Sequence, residues 1–122
     1  MNIIISNNTD NPIYQQLFDQ ISTQIIKGEL PGDLCLPPIR TVAKELRISV
    51  IPVKMAWEEL ERHGFIYTMA GKGCFVSPLP HDELASKRNT LAQKKLTQDI
   101  DYCKSLGLSL SEIIEIIRQL HK

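Results

Sequence analysis

No sign of charge predominates in this chain: fourteen Lys and Arg stand against fourteen Asp and Glu in 122 residues. That balance does not advertise a polyanion-binding protein, and only a local bias could argue for one. Long hydrophobic runs are missing as well. The longest apolar stretches, in "NIIIS" and "EIIEII", fall far short of the roughly 20 residues that a bilayer span needs. No basic segment precedes a signal-like core, so the expected location is the cytosol, with no membrane partner. Cysteine is scarce. Cys35, Cys74 and Cys103 are odd in number, widely spaced and without a Cys-x-x-Cys pair, which argues against a disulfide framework or a zinc site. His63, His81 and His121 are equally scattered, so no metal and no cofactor is expected. No grouping of Ser, His and Asp, and no carboxylate pair, stands out from helix caps and solvated faces; the chain is not expected to be an enzyme.

What is present is a modest core and an ordered set of short elements. Apolar residues make up 43% of the chain, enough for one domain with an appendage. In "NPIYQQLFDQISTQIIKGEL", Asn11 is a candidate cap and Pro12 a first helical residue. Ile13, Leu17, Ile21 and Ile25 follow at steps of four with Phe18 alongside, and Gly28 ends the helix. "LPGDLCLPP" then breaks regularity, and Pro37 or Pro38 opens a second helix lined inward by Ile39, Val42, Ala43 and Leu46. Only Arg47, Ile48 and Ser49 separate it from a third helix. Two helices joined this tightly cross steeply, which is helix-turn-helix geometry. Arg47 sits where glycine is often found, so a left-handed backbone there carries strain.

In the third helix Val53, Ala56, Trp57 and Leu60 form the inward stripe and Gly64 stops it. That spacing assigns Trp57 to the core rather than to stacking on a base or cofactor. After Gly64 the period changes. "FIYTM" and "CFVS" bracket "AGKG", a β-hairpin whose glycines permit positive φ. Helix, helix-turn-helix and hairpin, in that order, make a winged helix. Residues 36 to 73 also carry six Lys or Arg (40, 44, 47, 54, 62, 72) against four Glu. A surplus of two matters only if the basic residues share a face.

The residues "PIYQQL", "GELPGDLCLPPIRTVAKELRIS", "VKMAWEELERHGFI" and "GKGCFV" together resemble the amino-terminal domain of GntR-type bacterial transcription regulators. The short tail and "ISVI" before the third helix resemble its YtrA-like subfamily. The resemblance implies a homodimer that binds a palindromic double-stranded DNA operator, usually as a repressor. It also implies roles: Arg40 and Ser49 approach phosphate or base edges, while Lys44 and Lys54 serve the backbone. Lys72, between Gly71 and Gly73, reaches the minor groove or its phosphates from the wing tip. The family commonly has threonine where Pro52 stands, a basic residue where Met55 stands and serine where Pro38 stands; many relatives outside the subfamily have arginine at Val50. These departures leave Val50, Ile51 and Met55 as an apolar reading surface, able to meet a thymine methyl but not to make bidentate contacts to guanine. Base readout is then led by Arg40 and Lys54, with an altered operator preference. Pro52 costs no ladder bond near a helix start, but it restricts Ile51 and could move the start to Pro52, at the expense of a Ser49 cap.

From His81 to about Leu106 a polar helix bears a narrow stripe of Leu84, Leu91, Leu96, Ile100, Cys103 and Leu106. Gly107 interrupts, Ser109 or Ser111 caps, and Leu110, Ile113, Ile114, Ile117 and Leu120 form a dense apolar face. Two such helices cannot cover their own apolar surface, which favours a symmetric dimer interface. The expected architecture is α+β, mainly α: a winged helix-turn-helix domain over residues 1–78 and a two-helix dimerisation tail over residues 79–122. No effector site is evident. The competing reading is a winged helix that binds a protein through the Ile51 and Met55 face, or a degenerate regulator with weak DNA binding.

Overall fold

The computed structural model describes all of residues 1–122. Its elements run α1 (Ile13–Ile26), α2 (Ile39–Leu46), α3 (Val50–Arg62), β1 (Ile66–Met69), β2 (Gly73–Val76), α4 (His81–Ser105) and α5 (Leu110–Leu120). They divide into two compact units, Met1–Leu84 and Ala85–Lys122. The division falls a few residues beyond Pro78. The reason is Leu84, which lines a cleft with Ile25, Leu30 and Val76 and so belongs with the first unit.

In the first unit α3 packs chiefly on α1 and secondarily on α2. The apolar steps of four on α1 bury Leu17, Ile21 and Ile25 with Phe18, against Val53, Ala56, Trp57 and Leu60 of α3 and Val42 and Ala43 of α2. Trp57 is 3% exposed, which places its indole in the core. Phe65 and Ile66 close the bottom of this core, and the Phe18 ring meets His63 at 5.0 Å and Phe65 at 6.1 Å. The start of α1 differs from expectation. Pro12 is the flanking residue, with ψ 153°, and Asn11 caps nothing; its carbonyl instead accepts from Gln16 Nε2 at 2.7 Å.

Two features carry no hydrophobic period. First, Gln16, Gln20 and Gln24 form a polar ladder along α1. Each side-chain amide both accepts from and donates to one backbone residue of the amino-terminal segment: Gln16 with Ser6, Gln20 with Ile4 and Gln24 with Asn2. Four helical residues advance about 6 Å and two extended residues about 6.6 Å, so the two repeats stay in step over three rungs. Gln16 is buried, and replacing it with alanine strands the arm's partners. Gln16→Ala is expected to cost about 2 kcal/mol, a fall of roughly 8 to 16 °C in Tm; Gln24→Ala, at the frayed end, is expected to cost less than about 1 kcal/mol. Equal thermal shifts for the two variants would contradict this account.

Second, the proline-rich connection pairs with the hairpin around an isolated bridge. Asp33 N–H donates to the Val76 carbonyl at 2.7 Å, Val76 N–H to Leu34 at 2.9 Å and Leu36 N–H to Cys74 at 2.9 Å, with a bridge between Cys35 and Phe75. Residues 33–36 therefore cover one edge of β2, while β1 pairs with the other in antiparallel register, Ile66 with Val76 and Tyr67 with Phe75. The Tyr67 hydroxyl donates to Asp33 Oδ1 at 2.7 Å. That bond raises the phenol pKa and ties the wing's root to the connection.

In the second unit α4 buries none of its residues. Gly107, at φ +89°, turns the chain. Ser109 then caps α5 in a capping box: its hydroxyl accepts from Glu112 N–H at 3.3 Å while its own N–H donates to Glu112 Oε1 at 2.9 Å. The Ser109 N–H and then its hydroxyl hold the Glu112 carboxyl below its usual range. A depressed carboxylate stabilises at neutral pH, and its contribution is lost as pH falls through the folded-state value. Ile113 is buried in the single chain, so the open face of α5 is carried by Leu110, Ile114, Ile117 and Leu120, which are exposed with Leu96, Ile100 and Leu106 of the same unit. No helix of the chain is long and apolar enough to cross a membrane.

Candidate nucleic-acid interface

The helix-turn-helix is held by one strained residue. Leu46 ends α2, and Arg47 adopts φ 56°, ψ 45°, the left-handed region, with its N–H on the Lys44 carbonyl and the Ile48 N–H on Ala43. A side chain in this conformation is strained by about 1 kcal/mol or more. It reverses the chain within three residues and sets α3 across α2.

The cations of the two helices and the hairpin tip are exposed. At 100° per residue, Arg40 and Lys44 form one row of α2, whereas Glu45 lies on another side, where it lines a cleft with Met1, Asn2 and Leu46. Lys54 is exposed on α3, and Lys72 is exposed at the hairpin tip. The ion pairs of the chain lie elsewhere, between Glu59 and Arg62 or His63 and between Lys95 and Asp99. Arg40, Lys44, Lys54 and Lys72 have no carboxylate partner, and neither does Arg47, which lies beside them. From the sequence, Arg47 is a turn residue alone; the signal for a further role is a cation at a position where glycine is the less strained choice. At the hairpin tip Gly71 and Gly73 take φ +76° and +121°, and Lys72 N–H donates to the Met69 carbonyl at 2.9 Å. The small flanking residues leave the lysine projecting from a tight, uncluttered turn.

The outer face of α3 divides along its length. Val50, Ile51 and Met55 are 42%, 69% and 42% exposed in the first half. Glu58, Glu61 and Arg62 are exposed in the second. The helix begins at Val50, so Pro52 is its third residue and Ile51 is helical despite preceding a proline. Ser49 has the extended backbone of a cap, φ −72°, ψ 164°, yet its side chain makes no capping bond. One of the two usual donors is missing for a covalent reason. A capping hydroxyl accepts from the second or third helical N–H; in α5 that donor is Glu112 at the third position, and in α3 the third position is Pro52, which has none. Ser49→Ala is therefore expected to change stability by only a few tenths of a kcal/mol, whereas Ser109→Ala costs α5 about 1 kcal/mol. Amide hydrogen exchange in the first turns of the two helices checks it: protection lost in α3 as much as in α5 would contradict the uncapped reading.

Exposed cations without carboxylate partners suit a polyanion. The comparisons agree. The pattern of the bacterial regulatory proteins of the gntR family matches residues 13–76, more than half of the chain. The HTH-type transcriptional repressor YtrA of Bacillus subtilis is 31% identical over 119 residues, covering 97% of this chain and 91% of its own. The uncharacterised HTH-type regulator YhcF of the same species is 33% identical over 113 residues, covering 90% of each. Among solved structures, YtrA of Sulfolobus acidocaldarius, a GntR-family transcription factor, superposes with a TM-score of 0.56 at 34% identity, over 97% of this chain and 95% of that one. An α3 braced from behind by α1, a glycine-flanked wing and near full-length similarity to such regulators place the chain in the GntR family: it is a transcriptional regulator with that family's winged helix-turn-helix DNA-binding domain, and not an enzyme.

Proposed function

We propose that this regulator is a cytosolic repressor that binds a palindromic operator as a homodimer, with Lys44 and Lys72 neutralising phosphates, with Arg40 and Lys54 leading the polar readout of bases, and with Ser49 and the first half of α3 in the major groove. One observation carries the reading: these exposed cations lack carboxylate partners within the chain, and the outer face of α3 starts free of acids. Ser49 supports it, because its hydroxyl has no capping bond to lose on meeting DNA. The partner for dimerisation is a second copy, through Leu84, Leu91, Leu96 and Ile100 on α4 and Leu110, Ile114, Ile117 and Leu120 on α5, Ile113 supporting that face from within. A twofold axis then sets two copies of α3 about 34 Å apart, one turn of DNA. The winged helix as a protein-binding module gains support only from the apolar Ile51 and Met55 face, and the unpaired cations weigh against it.

The test is operator selection from random duplexes followed by a salt series. Arg40→Ala and Lys54→Ala are each expected to weaken binding about 5- to 150-fold. Where the replaced side chain neutralises a phosphate, the slope of log affinity against log salt should also flatten by about 1. Unchanged affinity and preference in both variants would overturn the assignment.

A further inference from the structure

The outer surface of α3 poses a recognition problem that its cations do not solve. Of its exposed first-half residues, Val50, Ile51 and Met55 have no hydrogen-bonding side-chain group, and Lys54 alone is charged. Ile51 is 69% exposed, an aliphatic side chain left in water with nothing in the chain covering it. Lys54 stands within the same stretch of α3, and Arg40 and Lys44 of the preceding helix are likewise exposed without carboxylate partners, so the occupant that suits them all is an anion that also presents apolar groups at a spacing of a few ångströms. In a B-form major groove the only apolar group on any base edge is the thymine 5-methyl.

We infer that α3 selects a thymine-rich half-site, with Ile51, Val50 and Met55 packing on 5-methyl groups while Arg40 and Lys54 supply what polar readout there is. The inference rests on the DNA-binding reading above and adds the chemical class of the sequence read. Guanine is disfavoured under this patch, because its O6 and N7 acceptors would be desolvated against side chains that offer no donor. Met55 suits a methyl whose position shifts with local DNA shape, since its unbranched thioether adapts where a β-branched residue cannot. Ile51 is the rigid reader.

The experiment compares the operator selected by the full-length protein with the same duplex carrying deoxyuridine for each half-site thymine, which keeps every hydrogen-bonding edge and removes only the methyl. Binding is expected to weaken about fourfold for each methyl that α3 covers. The Ile51→Ala, Met55→Ala double variant, altered only at exposed positions, is expected to melt as the parent does and to lose most of the deoxyuridine penalty, keeping only the share that Val50 contributes. Equal binding of both duplexes by the parent protein overturns the inference while leaving DNA binding in place. A deoxyuridine penalty that persists unchanged in the double variant also overturns it, because it marks a change in DNA shape. Failure of the parent to enrich any duplex removes both this inference and the reading beneath it.

Discussion

Ile114→Asp combined with Ile117→Asp is expected to convert the protein to a monomer and to weaken operator binding by about 10²- to 10⁴-fold. Both side chains are partly exposed on α5, at 37% and 48%, and the substitutions spare Ile113, the buried residue of that helix. Across a twofold axis, however, they bring desolvated like charges together. The size of the effect follows from effective concentration. When one half-site is bound, a dimer presents its second winged helix to the other half-site at a local concentration in the millimolar range, and linking the two events exceeds either affinity by about 10² to 10⁴. Binding to a duplex with a single half-site is expected to change little, which separates broken linkage from a damaged reading surface. Sedimentation equilibrium with fluorescence anisotropy on both duplexes reads the two quantities. A parent protein that is monomeric at micromolar concentration, or a double variant that stays dimeric, contradicts the tail's proposed role.

Trp57→Ala is expected to cost about 3 to 5 kcal/mol. A small domain has about 5 to 15 kcal/mol in all, so the variant stands close to unfolding, with Tm down by more than about 12 °C. The physical reason is position rather than size alone: the indole is 3% exposed between α3 and the elements behind it, beside Val53, Ala56 and Leu60, which are fully buried. Removing it leaves a cavity directly behind the helix proposed to meet DNA, and that helix then loses its fixed angle. Met55→Ala, two positions earlier in the same helix but 42% exposed, is expected to stay within about 0.5 kcal/mol of the parent. Urea unfolding followed by far-ultraviolet circular dichroism checks both, the single tryptophan making its fluorescence unusable for the first. A Trp57→Ala variant as stable as the parent would return the indole to the surface and reopen a stacking role for it.

Several elements were legible in the sequence because they follow from local rules. Steps of four apolar residues announced α1, the three-residue gap announced the helix-turn-helix, and Gly107 with Ser109 announced the break before α5. Arg47 stands where glycine is often found, and the left-handed backbone whose strain that position raised is the one it adopts. Features that depend on pairing between distant segments were not legible. "DLCL" has three prolines and a glycine nearby and no alternation of its own; residues 33–36 lie along β2, with Asp33 at φ 67°, because the β2 edge needs partners for its N–H and carbonyl groups. The glutamines of α1 look like an ordinary polar face until the amino-terminal segment is laid along them.

At the interface the same division holds. The residue types were given in advance by composition: cations at positions 40, 44, 54 and 72, and an apolar start to α3. Whether those cations were neutralised at home was a question of distances, and only folding answered it, by directing Glu59 to Arg62 and His63 and turning Glu45 toward the arm. Ser49 shows the limit most clearly. Sequence alone determined that Pro52 brings no N–H to the first turn of α3, since that is covalent chemistry; the tertiary structure decided that the helix nevertheless starts at Val50 and so aligns Pro52 with one of the two positions a capping hydroxyl could use. Local rules act through bonds and near neighbours, whereas partners far apart in the chain are chosen by the free energy of the whole packed domain.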